Sequence, residues 1–272
     1  MIETFEELGF ALVTDSRIGD LVNRLHDALK PVALTIIERD PVLGGRMSEV
    51  QPLSFREIFD WVIRNEESNS VSRAFYELFP ALAEVISITA DPLCLDLARS
   101  LGVGRPVPST LPILRIDRPG DTRFRTADHQ DFWFSMLSEN SITYWIPILP
   151  VTADMGLLQV IPGSHKAGLV AFRSSGRETL FEPVDGVDEN GYVDVHVGDN
   201  QLLAFSQLLM HRSGQNRSSK ARLTMQVRYN DLETLETMTT SFTPASSRRT
   251  HALQEEVLSQ GTLAARVSHA AR

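Results

Sequence analysis

The sequence predicts an α+β fold in which a mainly helical first part packs on one side of a β-sandwich or barrel. Up to residue 102 the apolar residues recur at three- and four-residue steps, the pattern of amphipathic helices. From Val103 to Asp231 the chain changes to short β-rich runs separated by turn residues. Since no repeat or linker interrupts it, we expect one domain over 1–272, with a helical part (1–102), a β core (103–231) and an extension (232–272).

The helical part is expected to open with a strand and a long helix. GFALV is a short apolar run typical of a strand, and Asp15 or Ser16 is placed to cap the helix behind it. Pro31 should break or kink that helix, because proline lacks the amide hydrogen and clashes with the preceding turn. Further helices are predicted on similar grounds, over Phe55–Arg64, Ser70–Leu78, Ala81–Thr89 and, capped by Asp91, Pro92–Gly102.

The second part contains six candidate strands. Their residues alternate between apolar and polar or form short apolar runs, as sheet residues do. In one of them the alternation places His196 on the opposite face from the neighbouring valines, toward solvent. The six are TLPILRI, SITYWIPIL, LLQVI, YVDVHV, QLLAF and RLTMQVRYN.

The composition is that of an ordinary globular protein, with 42% hydrophobic and 22% charged residues. A net charge of -9 disfavours nucleic acid and an anionic membrane as partners. The single cysteine, Cys94, cannot form an internal disulfide, and we expect it to be a buried apolar residue. Without a signal peptide or a run of about 20 apolar residues, the expectation is a soluble cytoplasmic protein of open oligomeric state.

The triplet His129-Gln130-Asp131 is the first candidate for chemistry. On a strand or at its end, residues two apart point to the same side, so His129 and Asp131 could ligate one metal ion. Asp128, as the direct neighbour of His129, should point the other way. Two histidines and one carboxylate leave open positions on non-haem Fe(II). The triplet alone is a weak signal, because such triplets occur often by chance.

His211 is the candidate for the second histidine, and Arg222 strengthens the interpretation. His211 follows an apolar run and precedes a polar loop, where a strand end is expected. Arg222 stands eleven positions later, and its planar guanidinium suits the far carboxylate of a dicarboxylate co-substrate. Ser213 is placed to add a hydroxyl donor. The alternatives are that His211 is a surface residue in a turn and that Arg222 forms a surface ion pair. The apolar residues next to Arg222 favour its burial.

Together HQD, GLLQVIPGSHKAG and HRSGQN, with an arginine eleven residues past the histidine, resemble the phytanoyl-CoA dioxygenase family over about Pro112–Asp231. The resemblance implies a double-stranded β-helix (cupin-like jelly-roll) core, with Fe(II), 2-oxoglutarate and O2 as cofactor and co-substrates. The metal ligands that it implies are His129, Asp131 and His211.

The same resemblance assigns roles to further residues. Arg222 and Ser213 would hold the distal carboxylate of 2-oxoglutarate, and Trp145 would line the co-substrate pocket. His165 would lie in a structural turn outside the metal sphere, and Asn216 would have a structural role in its loop. The remaining histidines are expected to carry no chemistry, namely His26, His251 and His269.

Residues around the triplet are candidates for the pocket. Arg115 alternates with apolar neighbours, so it either points into the barrel toward 2-oxoglutarate or substrate, or lies in a solvated loop and pairs with Asp117, Asp121 or Asp128. Arg123 and Arg125 are kept as substrate-pocket candidates, with a solvated loop as their favoured alternative. At least one aromatic residue should wall the site and exclude water, from the set Phe132, Trp133 and Phe134.

The function favoured by these residues is Fe(II)- and 2-oxoglutarate-dependent hydroxylation of an unactivated C–H bond of a small molecule, with release of succinate and CO2. The arginines give a mild preference for an anionic substrate. Because Asp131 is present, where halogenases of this superfamily lack the carboxylate, hydroxylation is favoured over halogenation. Two alternatives stay open: a non-redox cupin-like protein that binds a ligand or metal, and a metal-dependent isomerase or hydrolase on the same barrel.

Overall fold

The computed structural model describes residues 2–109, 111–122, 125–135, 138–174 and 181–234. Its α-helices, α1 to α8 in chain order, are Ile2–Leu8, Ser16–Arg39, Met47–Val50, Phe55–Asn65, Ser70–Leu78, Ala83–Ile88, Pro92–Ser100 and Phe132–Ser135. Its strands, β1 to β11, are Phe10–Thr14, Pro106–Pro108, Ile113–Asp117, Ile142–Pro147, Leu158–Val160, Phe172–Ser174, Phe181–Pro183, Val193–Val195, Gln201–Ser206, His211–Ser213 and Arg222–Asp231.

Helix α2 is the backbone of the helical layer. The side chain of Asp15 caps it by accepting a hydrogen bond from the amide of Arg17, as the sequence predicts. The expected break at Pro31 is wrong, since the helix runs without interruption over all 24 residues from Ser16 to Arg39. Pro31 lies on the exposed side, where the carbonyl oxygen of Asp27, which lacks an amide partner there, can bind water instead. The helix is held by a buried apolar stripe on both sides of that point: Ile18, Leu21, Leu25, Leu29, Ala33 and Ile37.

The largest sheet is antiparallel and has the order β1-β9-β4-β11-β2, with β3 also pairing with β11. A second sheet has the order β10-β5-β8, and β6 pairs with β7. The outer face of the large sheet packs on the helices, and Tyr144, Met225 and Val227 share one buried cluster with residues of α2 and α4. Helices on one side of antiparallel sheets confirm the predicted α+β class.

The inner face of the large sheet meets the second sheet. Trp145, Leu203 and Phe205 from the large sheet pack with Leu158 and Val160 from the small one. Side chains alternate between the two faces of a strand. Accordingly, the even-numbered residues of β11 lie on the inner face, and all of them are polar: Arg222, Thr224, Gln226, Arg228 and Asn230.

Several elements were not predicted from the sequence, namely α1, α3, α8, β2, β6, β7 and β10. Most span only three or four residues, too few for a periodic pattern. Strand β1 belongs to the helical part in sequence but pairs with β9 of the large sheet. Within the described ranges no single helix has the length and apolar character to cross a membrane, although the bent pair Ser70–Ala81 and Ala83–Ser100 passes by length and composition alone.

Candidate metal centre

The triad lies where the start of the HQD motif pairs with β10. His129 and His211 form an isolated antiparallel bridge, in which each backbone amide donates to the carbonyl of the other at 3.0 Å. Asp131 follows two residues later, before α8. Its Oδ1 lies 3.6 Å from Nε2 of His129 and 3.8 Å from Nε2 of His211. All three side chains are buried, and their ligand atoms lie within 4.8 Å of one another.

Backbone carbonyls orient both imidazoles. Nδ1 of His129 lies 2.8 Å from the carbonyl oxygen of Ala127, and Nδ1 of His211 lies 2.9 Å from that of Leu209. A protonated Nδ1 that donates to a carbonyl leaves the lone pair of Nε2 free for a metal. Burial, and then His129, lowers the pKa of His211 to about 3, which keeps that ring neutral.

Asp131 is fully buried and held by two side chains. Thr143 donates its hydroxyl to Oδ2 at 2.6 Å. Arg228 donates Nη2 to Oδ1 at 2.6 Å and Nε to Oδ2 at 3.1 Å. Burial disfavours the charged carboxyl, but Arg228 and the two histidines hold the pKa of Asp131 well below its usual range. The carboxylate is therefore ionised and available as a ligand.

These groups fit a divalent transition metal. The Nε2 atom of His211 is buried and has no hydrogen-bond partner among the described residues. A buried polar atom without a partner is costly in a folded protein, which points to a missing ligand. Two imidazoles and one carboxylate are a suitable donor set for Fe(II), and such a set leaves positions for other ligands.

Gln130, the middle residue of the motif, faces away from the triad and is fully buried. Its amide nitrogen donates to the carbonyl oxygens of Gly168 and Leu208. Its amide oxygen accepts from the Trp133 indole and from the backbone amide of Val170. Gln130 therefore connects the motif to the segment after β5 and to the chain before β10.

Arg222 lies on the inner face of β11 and is buried, as the sequence predicts. It pairs with Asp117 of β3, with Nη2 at 2.9 Å and Nε at 3.2 Å from Oδ2. Arg115 lies on the same strand as Asp117, with a nitrogen 3.8 Å from Oδ1 of that carboxylate. Within the described part of the chain, Nη1 of Arg222 and the hydroxyl of Thr224 are buried without a hydrogen-bond partner.

The other predicted pocket residues differ in what they contact, and Phe134 packs against a residue of the triad. Trp145 and Ser213 are buried, and Arg125 donates Nε to the carbonyl oxygen of Ser213 at 3.0 Å. The ring of Phe134 lies 5.9 Å from that of His129 in an edge contact. Phe132 packs against Leu208, and Trp133 stacks on Phe172 at 4.9 Å. Arg123 lies outside the described residues.

The remaining candidates lie away from the triad. Nε2 of His165 contacts the carbonyl oxygen of Glu6 at 3.1 Å, and His196 is exposed. Asn216 donates to the carbonyl oxygens of Asp117 and Lys220, a structural role. Asp128 points away from the site, where its carboxylate accepts from Tyr192. His26 contacts the backbone of Ile148, whereas His251 and His269 fall outside the described ranges.

Sequence reasoning missed Thr143 and Arg228, and it named Asp117 only as a possible partner of Arg115, not of Arg222. The sequence did contain a partial signal for Arg228, because it stands six positions after Arg222 and hence on the same face of β11. Which groups these residues meet depends on the pairing of β11 with β3 and β4, which is not a local property of the sequence. In that pairing Arg228 lies directly opposite Thr143.

Comparisons with known proteins agree with the family resemblance of the sequence motifs. The family model described as phytanoyl-CoA dioxygenase (PhyH) matches residues 55–224. A curated phytanoyl-CoA dioxygenase of Arabidopsis thaliana is 32% identical over 157 residues, which cover 57% of this chain and 54% of the relative. The chain therefore spans about half the length of the curated relative that it matches.

Solved structures share the fold at low identity. EctD from S. alaskensis with bound Fe has a TM-score of 0.55 and 20% identity, over 86% of this chain and 77% of EctD. The epimerase SnoN in complex with Fe3+, alpha ketoglutarate and nogalamycin RO has a TM-score of 0.54 and 14% identity, over 90% and 91% of the two chains. These likenesses confirm the predicted cupin-like fold class.

Proposed function

The chain belongs to the phytanoyl-CoA dioxygenase family, and on that premise we propose that it is an Fe(II)- and 2-oxoglutarate-dependent oxygenase that hydroxylates an unactivated C–H bond of a small-molecule substrate. The observation that carries the proposal is the buried triad of His129, Asp131 and His211. When bound, Fe(II), 2-oxoglutarate and O2 would supply the oxidising chemistry. One oxygen atom enters the substrate, the other enters succinate, and CO2 is released.

The inner face of β11 supports 2-oxoglutarate as the co-substrate. Arg115, Asp117 and Arg222 carry a formal charge of one positive unit together, which suits one carboxylate. Asp117 occupies Nε and Nη2 of Arg222, while Nη1 is buried and lacks a partner among the described residues. We assign the distal carboxylate to Nη1, with the hydroxyls of Ser213 and Thr224 as further donors.

Apolar side chains around the triad would shield the reaction from water. Trp145 packs in the inner cluster of the barrel, and Phe134 lies against the ring of His129. Exclusion of water strengthens the electrostatic interactions in a site and limits side reactions. We keep Phe132, Trp133, Phe134, Arg123 and Arg125 as proposed substrate-pocket residues, and an anionic substrate as the mild preference. A cytoplasmic location also stays a prediction.

The first experiment tests the assembly of the centre. Fe(II) and 2-oxoglutarate are added to the protein without O2, and a visible charge-transfer band is expected. His211→Ala should abolish the band. A folded wild-type protein that binds neither Fe(II) nor 2-oxoglutarate would contradict the proposed function.

The second experiment tests the reaction itself. With O2 present, a panel of small metabolites is screened for stimulated succinate release, and the product is examined by mass spectrometry. Hydroxylation adds one oxygen atom to the substrate, whereas isomerisation leaves its mass unchanged. Turnover of substrate without consumption of 2-oxoglutarate would favour the isomerase alternative.

A further inference from the structure

Arg228 is a buried cation in direct contact with a metal ligand. Its side chain is 6% exposed and lies on the inner face of β11, opposite Thr143 of β4. Besides its two hydrogen bonds to Asp131, it donates Nη2 to the amide oxygen of Gln226 at 2.9 Å. A guanidinium held by a carboxylate and an amide in the interior is fixed in position.

The hydrogen bonds to Asp131 restrict how this carboxylate can bind a metal. A carboxylate offers about four lone-pair directions over its two oxygens. Arg228 takes one on each oxygen, and Thr143 takes a further one on Oδ2. The remaining direction is on Oδ1, the oxygen nearest to both imidazole Nε2 atoms. Asp131 is therefore restricted to ligation through Oδ1 alone, which keeps the other coordination positions open.

Arg228 also sets the charge of the centre. Its positive charge cancels the negative charge of Asp131, with which it forms a direct ion pair. A divalent metal and this ion pair together would carry two positive units, against which the keto-acid end of 2-oxoglutarate brings one negative unit, because its distal carboxylate is assigned to Arg222. Without Arg228 this positive charge falls by one unit, which weakens the attraction for the anionic co-substrate.

We propose that Arg228 is a positioning residue that restricts Asp131 to one-oxygen ligation and favours the dianionic co-substrate at the expense of metal affinity. This inference rests on the proposed function, because it concerns the same centre. Removing a positive charge beside the metal strengthens the binding of a cation and weakens the binding of an anion. A merely structural role would instead weaken both.

The experiment compares wild type with Arg228→Gln and Arg228→Lys at pH 8 without O2. Mn(II) is titrated into metal-free protein, 2-oxoglutarate is then titrated into the Mn(II) form, and the absorption of the Co(II) form is recorded. For Arg228→Gln we expect the Kd for Mn(II) to fall and that for 2-oxoglutarate to rise, each by about tenfold, because the removed charge repels the cation and attracts the anion. Arg222→Gln is the matched control, with weaker 2-oxoglutarate binding but little change for Mn(II).

Arg228→Lys distinguishes the effect of the positive charge from that of the bidentate contact with Asp131. It keeps the positive charge, so both Kd values should stay within about threefold of wild type, while the Co(II) spectrum changes because Asp131 is free to rotate. If Arg228→Gln does not fold, the Co(II) spectrum of Arg228→Lys tests the inference: a changed spectrum supports it and an unchanged one contradicts it. Kd values in Arg228→Gln that move in the same direction or not at all, or a Co(II) spectrum of Arg228→Lys identical to wild type, would overturn the inference. Wild-type protein that binds no metal would instead contradict the proposed function.

Discussion

At the scale of single residues, the candidate centre depends on buried groups whose charge state is fixed by their neighbours. His211 is 1% exposed and neutral, whereas Asp131 is charged because Arg228 and two imidazoles surround it. Arg222 is also buried, and Asp117 pairs with its guanidinium there. Each of these residues therefore has a cost for stability as well as a use in binding.

His211 should make the metal-free protein sensitive to acid. Its pKa is about 3 in the folded state, against about 6.5 in an unfolded chain. Between these pH values the unfolded state binds the extra proton, so the free energy of unfolding falls as pH decreases from 6.5 toward 3, by up to about 1.4 kcal/mol per pH unit. Urea unfolding in EDTA at several pH values measures this slope. In His211→Gln the slope should be shallower, and an unchanged slope would refute the prediction.

Arg222→Gln should affect stability and co-substrate binding separately. It removes the nearer of two arginine neighbours of the largely shielded Asp117, which costs about 1–3 kcal/mol in the free energy of unfolding. The double variant Arg222→Gln/Asp117→Asn should recover most of that loss but not the affinity for 2-oxoglutarate. Urea unfolding and calorimetric titration test the two effects. Recovery of affinity in the double variant would show that Arg222 does not contact the co-substrate.

At the scale of elements, the strands with a regular pattern could be predicted and their partners could not. The alternation in β11 and the apolar run of β4 are visible in the sequence, and the cap Asp15 marks the start of α2. Strand β10 has only three residues, of which His211 and Ser213 lie on the same side. Such a short strand shows no recognisable alternation in the sequence. The roles of Thr143 and Asp117 arise from strand register, which is set by contacts distant in sequence.

Gln130 is the connection between α8, β10 and the segment after β5. Gln130→Leu removes four hydrogen bonds, three with backbone groups and one with the Trp133 indole, and leaves these shielded partners unsatisfied, so the free energy of unfolding should fall by about 2–3 kcal/mol. Limited proteolysis near Gly168 should also become faster. The exposed Gln51→Leu is the control and should change stability by less than about 0.5 kcal/mol. Equal effects of the two substitutions would exclude this role of Gln130.

At the scale of the whole molecule, the helical layer is joined to the barrel by charge as well as by apolar packing. Glu66, just after α4, is paired with Arg118, just after β3, and both are largely shielded from solvent. Ser72 of α5 donates its backbone amide to the same carboxylate at 3.1 Å. The ion pair therefore holds two helices against the strand that carries Arg115 and Asp117.

Glu66→Gln should weaken this junction. Loss of one partner leaves Arg118 as a shielded, uncompensated charge, and the free energy of unfolding should fall by about 3 kcal/mol. The exposed pair of Arg73 and Glu77 offers a matched control, in which Glu77→Gln should cost less than about 1 kcal/mol. Chemical denaturation of both variants checks the difference. Similar losses in the two variants would mean that the pair contributes no more than a surface contact.

The backbone bridge between His129 and His211 makes the metal a potential cross-link. The two residues stand 82 positions apart in the sequence, and an ion shared by their side chains would close a loop of that length. Closing a loop of this size in an unfolded chain costs about 4–5 kcal/mol in the entropy model used for disulfides. A metal that stays bound to both rings would therefore stabilise the whole β core reversibly, so that metal binding and resistance to unfolding would increase together.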